Sequence, residues 1–424
     1  MTKVTEHQIV IVGAGVTGLS CARTLQQHGI RFTIFEKSDR PGGRIKTDRV
    51  DGYQLDHGFQ VLQTGYPGID QYLDINRLQP AAFPAGVAVR CAEGFHVVAD
   101  PRRYPSHLIS TAFSPVGSFG DRLRLFKLAR SLASRPMESI FEEPEKPARE
   151  FLKDKGFSNR FIERFCTPFF AGACLDLGME SSSRIFNYVT RLFATGDAVL
   201  PAEGMAAIPE QLIFDIPRES IRYNQEVVSV QPGIVTLADG STIESAETVV
   251  AVPQSVCAEL LQVSDGKGFV NEACVYFSSE WRPPLAQPFL VLNGEGSGPV
   301  NNIAFPSLIA DSYAPPGKTL IALVVLGDQY VDRDDLEDLV RRQCGHWFGP
   351  VVDTWTHLKT YRIRAALPNQ TPPTNNPYLQ PERLAPGLTV CGESAGLPGL
   401  LWALMSGAMA GERIVSEQSG SAGK

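Results

Sequence analysis

The sequence predicts an α/β protein, a Rossmann-like nucleotide-binding domain joined to a second, α+β domain. Three observations carry this expectation. Residues 8–12 form a short apolar, β-branched run, as a fully buried parallel strand should, and Gly13-Ala14-Gly15-Val16-Thr17-Gly18 follows at once. A stretch of helical spacing then leads into a second short strand that ends on an acid, Glu36. At 424 residues the chain exceeds the roughly 250–300 at which a single core stops growing, so two domains are expected.

Each part of the first unit has a physical task. Gly13 permits the tight turn, Gly15 lets backbone N–H groups approach a pyrophosphate, and Gly18 lets the helix pack on the strand. Ala14 and Thr17 belong to the same loop. The helix is expected over residues 16–28, with Leu19, Ala22 and Leu25 inward and Gly29 as its stop. Its N-terminus offers the positive end of a dipole to phosphate. The second strand covers residues 31–35. Glu36, followed by Lys37, lies eighteen residues after Gly18, near the ~20 expected of the acid that hydrogen-bonds an adenosine ribose. An acid here disfavours a 2′-phosphate. Arg40-Pro41-Gly42-Gly43-Arg44 then brings more glycine backbone and a guanidinium fork toward the same pyrophosphate.

G-A-G-V-T-G, the acid at Glu36 and P-G-G-R together resemble the N-terminal signature of the flavin-containing amine oxidoreductase superfamily. That superfamily includes monoamine oxidases, protoporphyrinogen oxidases and carotenoid desaturases. The resemblance implies FAD rather than NAD, and no cysteine stands where relatives attach the flavin, so non-covalent binding is expected.

The composition narrows the remaining classes. Hydrophobic content of 43% and charged content of 20% describe an ordinary globular chain. A net charge of −7, with no long basic run, argues against nucleic acid as a partner. The eight cysteines are scattered without a C-x-x-C, so they read as reduced and mostly buried, and no metal site is expected. No apolar stretch approaches the ~18 residues of a membrane span. Seven residues precede the first strand, too few for a leader peptide, so a cytoplasmic protein is expected.

After Arg44, Asp56-His57-Gly58 matches the family's acid-x-Gly, which leads Gly58, Phe59 and Gln60 across the flavin. His57 reads as structural rather than as a base, because the motif rests on the flanking Asp and Gly. From Tyr66 to Pro105 prolines break the chain, and a domain crossing is expected there. Asp121 is expected to N-cap a helix over residues 122–134, with Leu125, Phe126, Leu128, Ala129 and Leu132 on one side and Arg124, Lys127 and Arg130 opposite. Such a helix can lie on a membrane surface, although a solvated charged face is the commoner arrangement. Residues 136–147 read as a connection and residues 148–170 as helical. The aromatic stretch 165–172 reads as core when taken alone. Arg164 to Asp176, with Ser181-Ser182-Ser183 and Pro201-Ala202-Glu203-Gly204-Met205, resembles the protoporphyrinogen oxidases and carotenoid desaturases more than the amine oxidases, and in those relatives this insert forms the substrate domain.

Residues 204–212 are expected as a helix returning to the nucleotide domain, residues 221–230 and 234–237 as a hairpin, and Asp239-Gly240 as a turn after it. Residues 224–230 resemble the family segment that passes the adenine, with Val227 as a backbone contact. Residues 248–253 form the strand leaving the domain. Strands are expected near 273–277, 289–292 and 320–326. Amine-oxidising relatives often carry a lysine in the first of these, where Glu272 or Ala273 stands here. Ala366-Leu367-Pro368 resembles the A-[IL]-P of the porphyrinogen and carotenoid enzymes. Residues 388–393 form a last strand ending in Gly392-Glu393, before a helix over residues 402–415 and a polar tail. The resemblance implies that Gly392 and Glu393 bind the ribityl or phosphate region and that Trp402 and Ala403, at the helix N-terminus, face the flavin. The FAD-binding domain is thus expected from residues 1–75, 200–255 and 378–424, and the substrate domain from 76–199 and 256–377. The expected reaction is dehydrogenation of a bulky apolar substrate of porphyrinogen or carotenoid type. Amine oxidation, or a flavin held for structural or non-redox purposes, is the alternative, and no side chain is singled out as catalytic.

Overall fold

The computed structural model describes residues 9–100, 103–104, 111, 114–264, 266–379 and 383–421; Gln8, Pro101, Pro105 and residues 422–424 lie outside them. The strand Ile9–Val12 lies inside a six-stranded sheet. Its neighbours on one side are Phe32–Phe35 and the short edge strand Ile221–Arg222. On the other side come Glu247–Val250, Leu388–Val390 and the edge strand Arg383–Ala385. All pairs are parallel except the last, so three widely separated stretches of chain build one sheet. Ile9 and Ile11 pack with the helices Val16–Gln27 and Leu400–Ser421, whereas Val10 and Val12 pack with the meander Val227–Gln231, Ile234–Leu237, Thr242–Glu244. A strand covered on both faces has no polar side, which is why its sequence does not alternate.

The two helices on the first face cross at backbone contact. A Cβ at Gly407 would lie 2.1 Å from the Thr17 carbonyl oxygen, and one at Gly411 would lie 2.8 Å from the Thr24 Cβ. Small residues at this spacing let the C-terminal helix settle over the glycine turn.

The second sheet has seven strands, ordered Thr356–Pro368, Phe269–Ser279, Thr319–Leu326, Val300–Ala304, Leu290–Asn293, Gly86–Cys91 and Gly94–Ala99. One face buries Ala273, Val275, Phe277, Ile321, Leu323 and Val325 with Trp347 and Trp355. The other face meets the hairpin Thr47–Val50, Tyr53–Asp56 through Tyr53, Leu55, Tyr276 and Tyr313. The helices from Phe119 to Thr195 pack into the same core as the helices Val16–Gln27 and Leu400–Ser421. Within it Phe157, Phe161, Phe165 and Phe169 stack at successive centroid distances of 5.8, 4.9 and 5.6 Å. They run through a π-helical turn, Ile162–Cys166.

Several boundaries differ from expectation. Ser118, not Asp121, is the N-cap of Phe119–Ala133: Asp121 is the third residue of a capping box and is itself buried. Leu125, Leu128 and Leu132 do face inward, but Phe126 is exposed beside Leu123, because only the i, i+3, i+7 positions share the buried side. The expected connection 136–147 contains the helix Glu138–Glu142, which buries Ile140 and Phe141. The expected helix 148–170 is broken after Ala148–Asp154 by Gly156 in the left-handed region. The return helix is Ala207–Ile213. Ile221–Arg222 joins the six-stranded sheet rather than a hairpin, since Asn224 at φ 55° turns the chain before Val227–Gln231 pairs with Ile234–Leu237. Beyond Gly399, at φ 130°, the C-terminal helix begins at Leu400 and continues through the expected tail to Ser421.

Candidate dinucleotide site and the sheet face beside it

Gly13 stands at φ 99°, and its N–H donates to the Phe35 carbonyl at 2.8 Å. A Cβ there would lie 2.9 Å from the Ala251 oxygen, and one at Gly18 would lie 2.0 Å from the Gly13 oxygen. The turn therefore excludes side chains at both glycines. Gly15 is different, because a Cβ there meets nothing within 4 Å. It is the N-cap of Val16–Gln27, and no side chain caps that end. The first-turn amides are thus left without a side-chain cap beside an open Gly15, which is the arrangement that receives a phosphate. Gly42 comes alongside: its N–H donates to the Ala14 oxygen at 2.9 Å, and Gly42 forms a parallel bridge with Gly15. A Cβ at Gly43 would lie 3.3 Å from the Gly15 Cα.

Glu36 is buried at the end of the second strand. Its Oε2 accepts from the Ala14 N–H at 2.8 Å, and its Oε1 accepts from the Ser38 N–H at 2.9 Å and the Ser38 hydroxyl at 2.5 Å. One carboxylate thus fastens the glycine turn and retains lone-pair capacity on Oε2. Lys37 points outward and is exposed. Val227 is buried against the same sheet, and the Gln225 N–H donates to the Glu36 carbonyl at 3.0 Å, so this segment runs beside the acid.

Arg44 joins the two ends of the chain. Its guanidinium ion-pairs with the nearly buried Glu393 and donates to the Ala366 carbonyl at 2.5 Å. Glu393 Oε1 also accepts from the Gln254 N–H at 3.0 Å. Gly392 stands at φ 82°, with its N–H held by the Ser406 hydroxyl at 2.8 Å, and a Cβ there would lie 3.1 Å from Thr17 Oγ1. Thr17, Gly392, Glu393 and Arg44 are therefore gathered with the glycine turn. Ala403 lies in the first turn of the C-terminal helix. Trp402 does not face this site: it is buried among Phe141, Tyr188 and Tyr378, because the helix starts two residues earlier than expected. Cys391 is fully buried and the other seven cysteines are buried too, and burial pushes the Cys391 thiol well up.

The Asp56-His57-Gly58 run forms the seam with the second sheet. Burial pushes Asp56 up to about 6, although it accepts hydrogen bonds from Thr47 Oγ1 at 2.5 Å, the Met205 N–H at 3.0 Å and the Tyr313 hydroxyl at 3.0 Å. His57 packs against Tyr361, ring centroids 4.6 Å apart, with its Nε2 3.1 Å from Asp48, which Arg40 and Lys359 also pair. Burial raises Asp48, but the bonds from Lys359, Arg40, Tyr361 and His57 outweigh it and hold the carboxyl far below the usual range. His57 is thus a strut in a charge network. Gln60 Nε2 donates to the Arg44 and His57 carbonyls at 3.1 and 3.0 Å, which ties this run to the glycine–arginine turn.

Past the seam, one sheet face changes character. On Phe269–Ser279 the side chains of Tyr276 and Cys274 share a face, and strand alternation places Glu272 on it too. Its cross-strand neighbours are Leu326 and Ile363. A Cβ at Gly58, which stands at φ 89°, would lie 2.4 Å from Glu272 Oε1 and 2.9 Å from Ile363 Cδ1. Around it Phe59, Ala171, Leu175, Val324 and Leu326 make an apolar wall. Glu272 is 8% exposed, and burial pushes its carboxyl up to about 7. Sequence reasoning noticed this position only for the absence of a lysine. Among the described residues no cluster of metal-ligating side chains occurs and no helix is long and apolar enough to cross a membrane.

The profile of the family "Flavin containing amine oxidoreductase" matches residues 16–415. A stretch of 196 residues is 30% identical to the chloroplastic protoporphyrinogen oxidase of Nicotiana tabacum, covering 46% of this chain and 34% of that one. The chain thus matches about a third of that relative's length. Among solved structures it is similar to a protein provisionally named protoporphyrinogen oxidase from Exiguobacterium sp. 255-15, with a TM-score of 0.73 and 17% identity over 98% of this chain and 100% of that one. It is also similar to reduced UDP-galactopyranose mutase, with a TM-score of 0.71 and 18% identity over 97% of this chain and 96% of that one. At such identities these structures show the shared fold, a Rossmann-like domain with a second domain. The chain belongs to the flavin-containing amine oxidoreductases, a family of FAD-dependent oxidoreductases. The uncapped helix end, the open face at Gly15 and the buried Glu36 fit FAD.

Proposed function

From that membership we propose that the protein takes a hydride from carbon in a bulky, apolar substrate of porphyrinogen or carotenoid type and passes it to non-covalently held FAD. The observation that carries this reading is the apolar wall of Phe59, Ala171, Leu175, Val324 and Leu326 beside Gly58. A wall of this kind favours a large apolar molecule over a small polar amine. The flavin supplies the electron-accepting chemistry, and the chain supplies binding and orientation. Gly13, Ala14, Gly15, Thr17, Gly18, Gly42 and Gly43 receive the pyrophosphate, Glu36 the ribose, and the Val227 backbone the adenine. Gly392, Glu393, Arg44 and the helix end at Ala403 hold the ribityl and ring side, while Gly58, Phe59 and Gln60 run along the flavin.

The test is anaerobic stopped-flow reduction of the FAD-loaded protein. Protoporphyrinogen or a polyene is expected to bleach the flavin faster than benzylamine, spermine or NADH does. Faster bleaching by a small amine would replace this reading with amine oxidation, and a flavin that none of them bleaches would favour a non-redox role.

We propose as well that the helix Phe119–Ala133 touches membrane surfaces peripherally. Phe119 (68% exposed), Leu123 and Phe126 stand out of it beside the exposed Arg124, Lys127 and Arg130, a mixture that suits an anionic lipid interface.

A further inference from the structure

The chain closes almost every buried charge with a partner, and Glu272 is the exception that faces the site. Glu36 holds two backbone amides and a hydroxyl, Glu393 pairs with Arg44, and Asp48 and Asp56 each accept several hydrogen bonds. Glu272 has neither a hydrogen bond nor an ion pair among the described residues, although it is more than nine-tenths buried. A buried carboxylate without a partner is costly, and such groups persist where a ligand or a reaction uses them. Its position is specific. Oε1 lies against Gly58, on the run proposed to follow the flavin, and the apolar wall adjoins the same spot.

We propose that Glu272 is the proton acceptor of the oxidation. The C–H bond breaks with its electron pair going to the flavin, which is reduced. An N–H or C–H bond on the neighbouring atom breaks with its pair forming the new double bond, and the proton goes to a Glu272 oxygen. The substrate loses two electrons and two hydrogens in all. The inference rests on the proposed hydride transfer and adds to it the residue that takes the proton.

The surroundings suit the task. On its own strand the next residue of this face is Cys274, whose thiol is pushed up by burial and by Glu272. The facing strands contribute Leu326 and Ile363, and the seam contributes Gly58. The next carboxyl along the seam is Asp56, which acts on Cys274 as well. With no cation among the described residues to hold it ionised, the Glu272 carboxyl takes up a proton near neutrality and returns it as readily, the condition for an efficient general base at pH 7.

The experiment uses the FAD-loaded wild type, E272Q and E272D. The resting flavin spectrum, followed from pH 5.5 to 9 without substrate, is expected to shift near pH 7 in the wild type. The transition should vanish in E272Q and return, displaced, in E272D. In anaerobic stopped flow with protoporphyrinogen or benzylamine as donor, E272Q should reduce roughly 10²–10⁴-fold more slowly, the usual contribution of a general base, and lose the rise in rate with pH. E272D should recover part of both. An E272Q flavin reduced at the wild-type rate, or a spectrum whose pH dependence is the same in both proteins, would overturn the inference. If the Glu272-dependent spectral transition is present but no donor bleaches the wild type, the hydride-transfer reading fails while the carboxylate's placement at the flavin is upheld.

Discussion

The glycine end of the site and the sheet end are built from different materials. At the glycine end the chemistry comes from backbone: the uncapped helix end at Gly15 and the glycine turns at Gly42 and Gly392 packed around it, with each carboxylate there already bonded to an amide or a guanidinium. At the sheet end it comes from side chains, those of Val324, Leu326 and Glu272 on two strands and of Phe59, Ala171 and Leu175 packed over them, apolar except for one carboxylate without a partner among the described residues. Backbone amides stay in place whatever side chains surround them, so such an end suits one unvarying ligand. A surface of side chains can be rewritten residue by residue, so it suits whatever substrate a given family member takes. The difference also sets how each end should fail.

The largest expected effect separates two glycines a few residues apart. Gly18→Val places a Cβ within 2.0 Å of the Gly13 oxygen, and the turn cannot hold it. A loss of more than about 4 kcal/mol is expected, with little folded protein and no bound flavin. Gly15→Ala meets nothing within 4 Å, so the apo protein should melt within a few degrees of wild type while its FAD affinity falls about tenfold or more. Thermal melts and flavin titrations of the two variants check this contrast. Normal FAD binding by G15A would break the backbone account of that end.

Next comes the pH dependence of apo-protein stability. Glu272 has a raised folded-state pKa of about 7 against an ordinary 4.5, and Asp56 one of about 6 against 3.8. For each, the folded state keeps its proton over that window while the unfolded state has lost it. Stability is therefore full at the acidic side and falls as pH rises through the window. Glu272 should account for about 3 kcal/mol between roughly pH 4.5 and 7, flat above. Asp48 works the other way, its contribution disappearing below about pH 4. Urea melts of apo wild type and E272Q from pH 4.5 to 8 test the sign: the variant should lose less stability across that range, and identical slopes would refute it.

Glu36→Ala is expected to weaken FAD binding by about 1–3 kcal/mol, the scale of a charged hydrogen bond, and to loosen the turn at Ala14. Flavin retention on gel filtration and a fluorescence titration measure it. The smallest effect concerns lipid: co-sedimentation with vesicles containing phosphatidylserine should fall when Arg124, Lys127 and Arg130 are replaced by Gln, and fall also with added salt. Equal recovery in the soluble fraction with and without anionic lipid would leave the exposed apolar residues as an ordinary solvated face.

Elements whose geometry is set within a few residues were legible in the chain. The strand, glycine turn and helix around Gly13–Gly18, the stop at Gly29, the second strand ending in Glu36 and the last strand before Gly392 all stand about where their local chemistry places them. Errors gathered where a neighbour decided. Ile221–Arg222 reads as half of a hairpin until the edge of the six-stranded sheet takes it. Asp121 reads as a cap until Ser118 appears three residues before it and Ser158 donates to it from another helix. Phe126 reads as buried until the helix is rotated against Ser183–Thr195, which takes Leu125, Leu128 and Leu132 and leaves Phe126 outside.

By itself, then, the sequence determined the dinucleotide turn, the acid that fastens it and the class of cofactor. The turn and its acid depend mostly on φ angles and hydrogen bonds that close within a single βαβ unit, and the cofactor class on the family resemblance those motifs carry. The tertiary structure decided what surrounds that turn. Trp402 turned away into an aromatic core, Arg44 met Glu393 from the far end of the chain, and Glu272 came to rest against Gly58 among apolar neighbours. A carboxylate's partners and its solvation are properties of the space it occupies, and in this protein distant segments enclose that space.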